Sequence, residues 1–278
     1  MPDVRRRALL LVVTAVLAPT LGAVLQLASP ARAVRPTAQA TAQPARATGS
    51  FFWANAWAAH HTAAHGPGSG AARMRRLVRL VRGSGVGLGA LAELERSQIT
   101  AFRRSAPSYR LLVGGRGTTN GIFWDSGAYD LVEGYAFRGL SYGGRPVRVP
   151  VAVLRDRATG DLLAVIAVHN PRDRWRDRAL GRELQEVRRL RRAHGPVSVF
   201  LAGDFNAGTS VACRAHRARL FSVGNRGCRG SAPIDQLLAD RSVRVRSYRR
   251  MTGARVGRIT DHPAVYRARF AITETTSS

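Results

Sequence analysis

The stretch Val199-Phe200-Leu201-Ala202-Gly203-Asp204-Phe205-Asn206-Ala207 carries the most information in this chain. Val199 to Ala202 form an unbroken apolar run, the pattern of a strand buried on both faces, and the run stops at Gly203. Asp204 and Asn206 stand two residues apart at the strand end. Period-two alternation predicts that their side chains point the same way, so that a carboxylate and a carboxamide hold a water and a phosphate oxygen together. Gly-Asp-x-Asn also makes ordinary turns, so its meaning depends on what recurs elsewhere in the chain.

The same grammar of a polar residue ending an apolar strand does recur. Leu162 to Val168 is an apolar run closed by His169. In Leu91-Ala92-Glu93-Leu94-Glu95, Glu93 ends another, a costly place for a charge unless a cation or a donor meets it. Glu95 shares the face of Glu93 if the strand continues, and is the weaker alternative because Glu93 sits closer to the apolar run. Asn55 lies between Trp53 and Trp57, and Asn120 precedes the run from Gly121 to Trp124. Near the other end, Asp261-His262-Pro263 sets an acid beside an imidazole that titrates near neutrality. Asp235, in Pro233-Ile234-Asp235-Gln236, is a carboxylate able to orient the far ring nitrogen of His262. Taken alone, Asp261 reads equally as a turn or cap residue, and a lone Asn or His as structural.

Around these positions the spacing predicts strands at Phe51 to Trp57, Val86 to Glu93, Tyr109 to Val113, Gly121 to Trp124, Tyr129 to Ala136, Val147 to Arg155, Leu162 to His169, Val197 to Leu201, Val243 to Ser247 and Ala264 to Ala271. Helices are expected at Met74 to Val81, after Ser97, and from Trp175 to Ala193, where Leu180, Leu184, Val187 and Leu190 form one apolar stripe. The arginines on the other faces of that last helix read as a solvated surface. Pro150 points to an edge position or a bulge. Strand groups separated by helices make a layered α/β sandwich.

Arg5, Arg6 and Arg7 precede an apolar run to about Leu27, followed by Ala31-Arg32-Ala33, the order of a secretory signal peptide over residues 1–33. A retained anchor is the rival reading. Residues 34–49, rich in Ala, Pro, Thr and Gln, read as a disordered linker, leaving residues 50–278 as one domain. All 44 basic residues are Arg, against 17 acidic ones, a formal charge of +27. Such a surface concentrates polyanions, nucleic acid among them, although an all-Arg composition rich in Ala and Gly is also what a coding bias produces. In an oxidising milieu Cys213 and Cys228 pair most simply as a disulfide, with a zinc site as the weaker alternative. His60, His61 and His65 read as a surface cluster.

Gly203-Asp204-Phe205-Asn206 and Asp261-His262, with Glu93, Asp235, Asn55, Asn120 and His169 in this order, resemble the endonuclease/exonuclease/phosphatase superfamily, which includes deoxyribonuclease-like enzymes. The resemblance spans about Phe51 to Phe270. It implies a four-layered α/β sandwich, with two packed mixed β-sheets flanked by helices and an active site at one end. By the same resemblance Glu93 is the main metal carboxylate, with Asn55 and Asp261 in the metal shell. Asp204 and Asn206 orient water and phosphate; His262, supported by Asp235, is general base or phosphate contact; His169 steadies the charged phosphorane. The chain departs from the family pattern at Ala92, where Gln is common, and at Ala167-Val168, where Asn-Thr is common.

Hard oxygen ligands suit Mg2+, with Mn2+ or Ca2+ as substitutes. The resulting expectation is a secreted, extracellular, monomeric phosphodiesterase acting on nucleic acid, without stable membrane insertion once the signal is removed. A sphingomyelinase-like phospholipid or small-molecule phosphoesterase and a non-catalytic polyanion-binding module are the alternatives.

Overall fold

The structure, a computed structural model, describes residues 46–62, 68–224, 228 and 231–273. The expected signal segment and linker residues 34–45, like His65, lie outside the described residues. In chain order the elements begin with β1 (Thr48–Asn55), α1 (Gly70–Gly83), β2 (Leu88–Leu94), α2 (Arg96–Ser105), β3 (Tyr109–Val113) and β4 (Thr119–Asp125). Next come β5 (Tyr129–Leu140), β6 (Pro146–Asp156), β7 (Leu162–His169), α3 (Arg176–His194), β8 (Val197–Asp204) and α4 (Thr209–Arg217). The chain closes with β9 (Leu220–Ser222), β10 (Asp235–Asp240), β11 (Val243–Met251), α5 (Ala254–Gly257) and β12 (Val265–Ile272).

Among the described residues these strands make two six-stranded sheets, ordered β11-β12-β1-β2-β4-β3 and β5-β6-β7-β8-β10-β9. β1 runs parallel to β2 and β7 parallel to β8, and the other neighbours are antiparallel. Both sheets are therefore mixed. Alternation along the strands explains the layering. Phe51, Trp53, Phe200 and Tyr266 pack between the sheets, with the Phe51 and Phe200 rings stacked at 5.2 Å. The opposite face of the first sheet is covered by Met74, Leu77, Val78 and Val81 of α1 and by Phe102 of α2. The outer face of the second is covered by the Leu180, Leu184, Val187 and Leu190 stripe of α3. The expected four layers are present.

Three local features depart from the pattern read in the sequence. β10 was not anticipated, because Asp235, Gln236 and Asp240 interrupt any apolar run. All six of its residues are buried nonetheless, and its polar side chains find partners, although Asp235 Oδ1 has none. Gln236 donates to the Ala207 and Gly208 carbonyls, both at 3.0 Å, and Asp240 accepts from Arg191. β6 is an interior strand in spite of Pro150. Its rungs with β7 begin at Val151, so the imino nitrogen faces no partner strand on that side. Third, the expected disulfide is not formed. Cys213 and Cys228 are free thiols, with the Cys213 Sγ 3.2 Å from the Cys228 carbonyl oxygen.

One backbone approach fixes the strand end that carries Asp204. Gly203 sits at φ 142°, and a Cβ there would lie 2.0 Å from the Val168 carbonyl oxygen of β7. Gly203→Ala is expected to cost about 2–4 kcal/mol, from combined overpacking and backbone strain. Urea unfolding of the variant measures this, and an unchanged midpoint would contradict it.

Candidate active site

Glu93 reaches the end of the sandwich through a break in its strand. β2 pairs Leu91 with Gly121 and Leu94 with Thr119, so Ala92 and Glu93 together oppose Asn120 in a bulge. Glu93 adopts φ 57°, a left-handed conformation uncommon for a residue with a side chain. The bulge re-aims its carboxylate. Oε1 accepts from Asn55 Nδ2 at 2.8 Å and Oε2 from the Ala58 amide at 3.0 Å. The loop supplying that amide is fixed by two buried side chains. Arg73 donates to the Trp57 carbonyl, and Gln98 to the Ala56 and Trp57 carbonyls at 2.9 and 3.0 Å. Asn55 is oriented in turn by the Trp57 amide, which donates to its Oδ1 at 2.8 Å.

On the second sheet, β7 and β8 end side by side with His169 opposite Asp204, and β10 begins with Asp235 opposite Asp204 on its other edge. His262, in the loop before β12, places Nδ1 2.6 Å from Asp235 Oδ2. Its Nε2 lies 3.2 Å from Asn55 Nδ2 and 3.6 Å from Asp204 Oδ2. His169 Nε2 lies 3.5 Å from Asp204 Oδ2 and 3.7 Å from Glu93 Oε1. Distances of 3.5 Å and more are too long for direct hydrogen bonds. Asp204 Oδ2 and His169 Nε2 are accordingly buried without a partner. Groups from β1, β2, β7, β8, β10 and the loop before β12 therefore converge, although they come from all parts of the chain.

The electrostatics divide these groups into two sets. Burial alone would lower the His262 pKa, but the Asp235 hydrogen bond and the charges of Asp235, Asp204 and Asp261 outweigh it and raise it to about 9. At neutral pH His262 is an imidazolium. Burial pushes the Asp235 carboxyl up against the opposing pull of His262. Burial would raise Glu93 as well, yet Asn55, the charge of His169 and the Ala58 amide hold it below the ordinary carboxylate range. A tight group of Asp204, Asp235 and His262 has ligand atoms within 4.8 Å of one another. Since His262 Nδ1 and Asp235 already bind each other, that group reads better as an oriented imidazolium beside a free carboxylate than as a metal cage. The anionic, part-exposed Glu93 is the better cation ligand.

A cavity of about 640 Å³ opens over these groups, lined in part by Glu93, Asn120, His169, Asp261 and His262. Asp261 stays exposed at its rim, with no bond joining it to Glu93 or Asn55 among the contacts of the described residues. Asn206 departs from the strand-alternation expectation. β8 ends at Asp204, and Asn206 turns to φ 48° with its amide donating to Asp204 Oδ1 at 2.8 Å. Its carboxamide binds the Asn170 carbonyl and accepts from Arg172 Nε at 3.0 Å, so it braces the rim. Glu95 is no substitute for Glu93, because it caps α2 and binds His60 and Thr118. Sequence reasoning missed Arg172 and Tyr142, both lining the cavity. The charged run Arg172-Asp173-Arg174 just after a strand-ending His, and a Tyr followed by Gly143-Gly144, were the available signals.

A dyad of this kind makes a measurable claim. The raised His262 pKa contributes stability that is complete below about pH 6.5, the exposed-imidazole value, and is lost as pH rises through about 9. NMR titration of the His262 ring in EDTA is expected to give a midpoint near 9, falling by about one unit or more in Asp235→Asn. An unmoved midpoint would show that Asp235 does not set it.

The sequence matches no protein-family model and no curated protein. Solved structures do match. An endonuclease/exonuclease/phosphatase from Bacteroides vulgatus superposes with TM-score 0.67 at 15% identity, covering 82% of this chain and 100% of its own. TDP2 from D. rerio, complexed with a single-strand DNA product, gives 0.60 at 13% identity, covering 81% and 99%. Bacteroides thetaiotaomicron mannosyl-6-phosphatase Bt3783 gives 0.63 at 16% identity, covering 81% and 99%. With two mixed six-stranded sheets and outer helices among the described residues, the chain has the fold of the endonuclease/exonuclease/phosphatase proteins.

Proposed function

We propose that this protein is a divalent-metal-dependent phosphodiesterase that hydrolyses nucleic acid. The observation that carries the reading is the convergence of an unpartnered buried carboxylate oxygen, Asp204 Oδ2, with the Nε2 atoms of His169 and His262, at 3.5 and 3.6 Å. Burying such groups unmatched costs stability, and a phosphate with its attacking water is the ligand whose acceptors and donors complement them. The fold likeness supports the same class of chemistry. The bound DNA product of TDP2 and the +27 charge of this chain favour a nucleic-acid substrate.

Each side chain then has a role its geometry permits. Asp204 Oδ2, free of protein donors, orients the attacking water and accepts its proton. His262, held as imidazolium by Asp235, donates from Nε2 to a phosphate oxygen, which favours the phosphate-contacting role over that of general base. His169 donates to the same developing charge from the opposite side. Asn206 keeps Arg172 at the rim, where its guanidinium meets a neighbouring phosphate. The donor set fits a hard cation, with Glu93 as its main ligand, Asn55 fixing that carboxylate, and Asp261 across the cavity; when bound, Mg2+ neutralises phosphate charge. Export and action as a monomer complete the reading.

The mannosyl-6-phosphatase neighbour motivates a second reading, a phosphomonoesterase on the same machinery. Release of inorganic phosphate from a monoester panel, with oligonucleotides left intact, would favour it. For the first reading, purified protein with Mg2+ is expected to nick plasmid or cut single-stranded oligonucleotide. EDTA should abolish cleavage, and His262→Ala should lower kcat by about a hundredfold or more. Nucleic acid left intact under Mg2+, Mn2+ and Ca2+ would overturn the substrate assignment.

A further inference from the structure

Tyr142 is a large side chain at the cavity for which the catalytic roles above have no use. It is 44% exposed, in a short turn over Tyr142–Gly144 between β5 and β6. A single exposed aromatic is ordinary on a protein surface. This one differs in being held. Gly143 and Gly144 take φ 66° and 74°, and the Gly143 amide donates to Asp173 Oδ2 at 2.7 Å. A Cβ on Gly144 would meet the Trp175 ring at 2.6 Å, so the turn lies flat on that indole, which in turn has Arg174 and Arg178 guanidinium groups 5.5 Å from its centroid. The ring stands edge-on to His169 at 6.3 Å and 82°.

The result is a flat aromatic surface on a turn held by Asp173 and Trp175, beside the histidine that faces the phosphate site, with Arg172 lining the same cavity. Building on the nucleic-acid reading above, we infer that Tyr142 is a stacking platform for an unpaired nucleobase next to the scissile phosphate, which makes single-stranded nucleic acid the preferred substrate. A base has a π-face for the ring, while the flanking phosphates meet Arg172 and His169. Pre-setting the ring removes the ordering cost that a mobile side chain would incur on binding. Neither a phospholipid headgroup nor a sugar phosphate supplies a matching aromatic face. Stacking of a base on an aromatic side chain is worth about 1–3 kcal/mol by alanine substitution, or about 5- to 150-fold in kcat/KM.

The test compares two single-stranded oligodeoxynucleotides of one length, one with bases and one with abasic tetrahydrofuran residues throughout. Charge and phosphate spacing are then the same. The wild-type protein is expected to prefer the base-bearing strand by about tenfold or more in kcat/KM, mainly through KM. Tyr142→Ala should bring the ratio of the two strands close to one, and Tyr142→Phe should keep it. Cleavage of the abasic strand by each variant reports that it has folded. Equal cleavage of both strands by the wild type, a preference retained in Tyr142→Ala, or its loss in Tyr142→Phe would each overturn the platform while leaving the nuclease reading intact. Failure of the wild type to cut either strand would overturn both.

Discussion

The structure depends on holding charged and polar side chains in a water-poor position at the ends of buried, largely apolar strands. Asp204 and Asp235 are almost completely buried, directly opposite each other on neighbouring strands. Two carboxylates so placed repel each other unless protons or cations intervene. His262 supplies one positive charge to Asp235, and Asp204 keeps an oxygen with no protein partner. The core on either side of each sheet supports this arrangement. Its rigidity leaves the strand ends no room to relax and pair these groups among themselves.

Strain is concentrated at the same end of the molecule. Among the described residues, the non-glycine positions with positive φ are Trp57, Glu93, Asn206 and Arg219. The first three belong to the site or its supporting loop. Each turns a side chain or a carbonyl that a regular strand would aim elsewhere. Such conformations persist only when surrounding contacts over-determine them. Buried Arg73 and Gln98 do this for the loop after β1, and the Asp204 carboxylate does it for Asn206. Stability is thus lowered locally and recovered from the packed layers beneath.

Much of this was legible in the sequence because strand burial leaves a strong signature. The run Val199 to Ala202, the helical stripe from Leu180 to Leu190 and the strand from Leu162 to His169 all stand where their periodicity predicts. The residues that converge were legible for the same reason: a lone Glu, His or Asp closing an apolar run is conspicuous. What was not legible depends on three-dimensional pairing. β10 looks polar because its buried Asp235, Gln236 and Asp240 find partners far away in the chain. The direction of Asn206 was misjudged because a left-handed residue replaced strand alternation just past Asp204. Tyr142 and Arg172 belong to connections, where no periodicity marks the face that meets the cavity.

In the proposed function Glu93 is an anionic ligand at the mouth of the oriented Asp204, His169 and His262 group. Crystals of the protein soaked in Mn2+ and measured at its absorption edge test this directly. The predicted result is an anomalous peak about 2 Å from a Glu93 carboxylate oxygen and inside the same cavity as His262, absent in Glu93→Gln. A well-ordered site with no such peak, or a peak confined to surface carboxylates elsewhere, would contradict it.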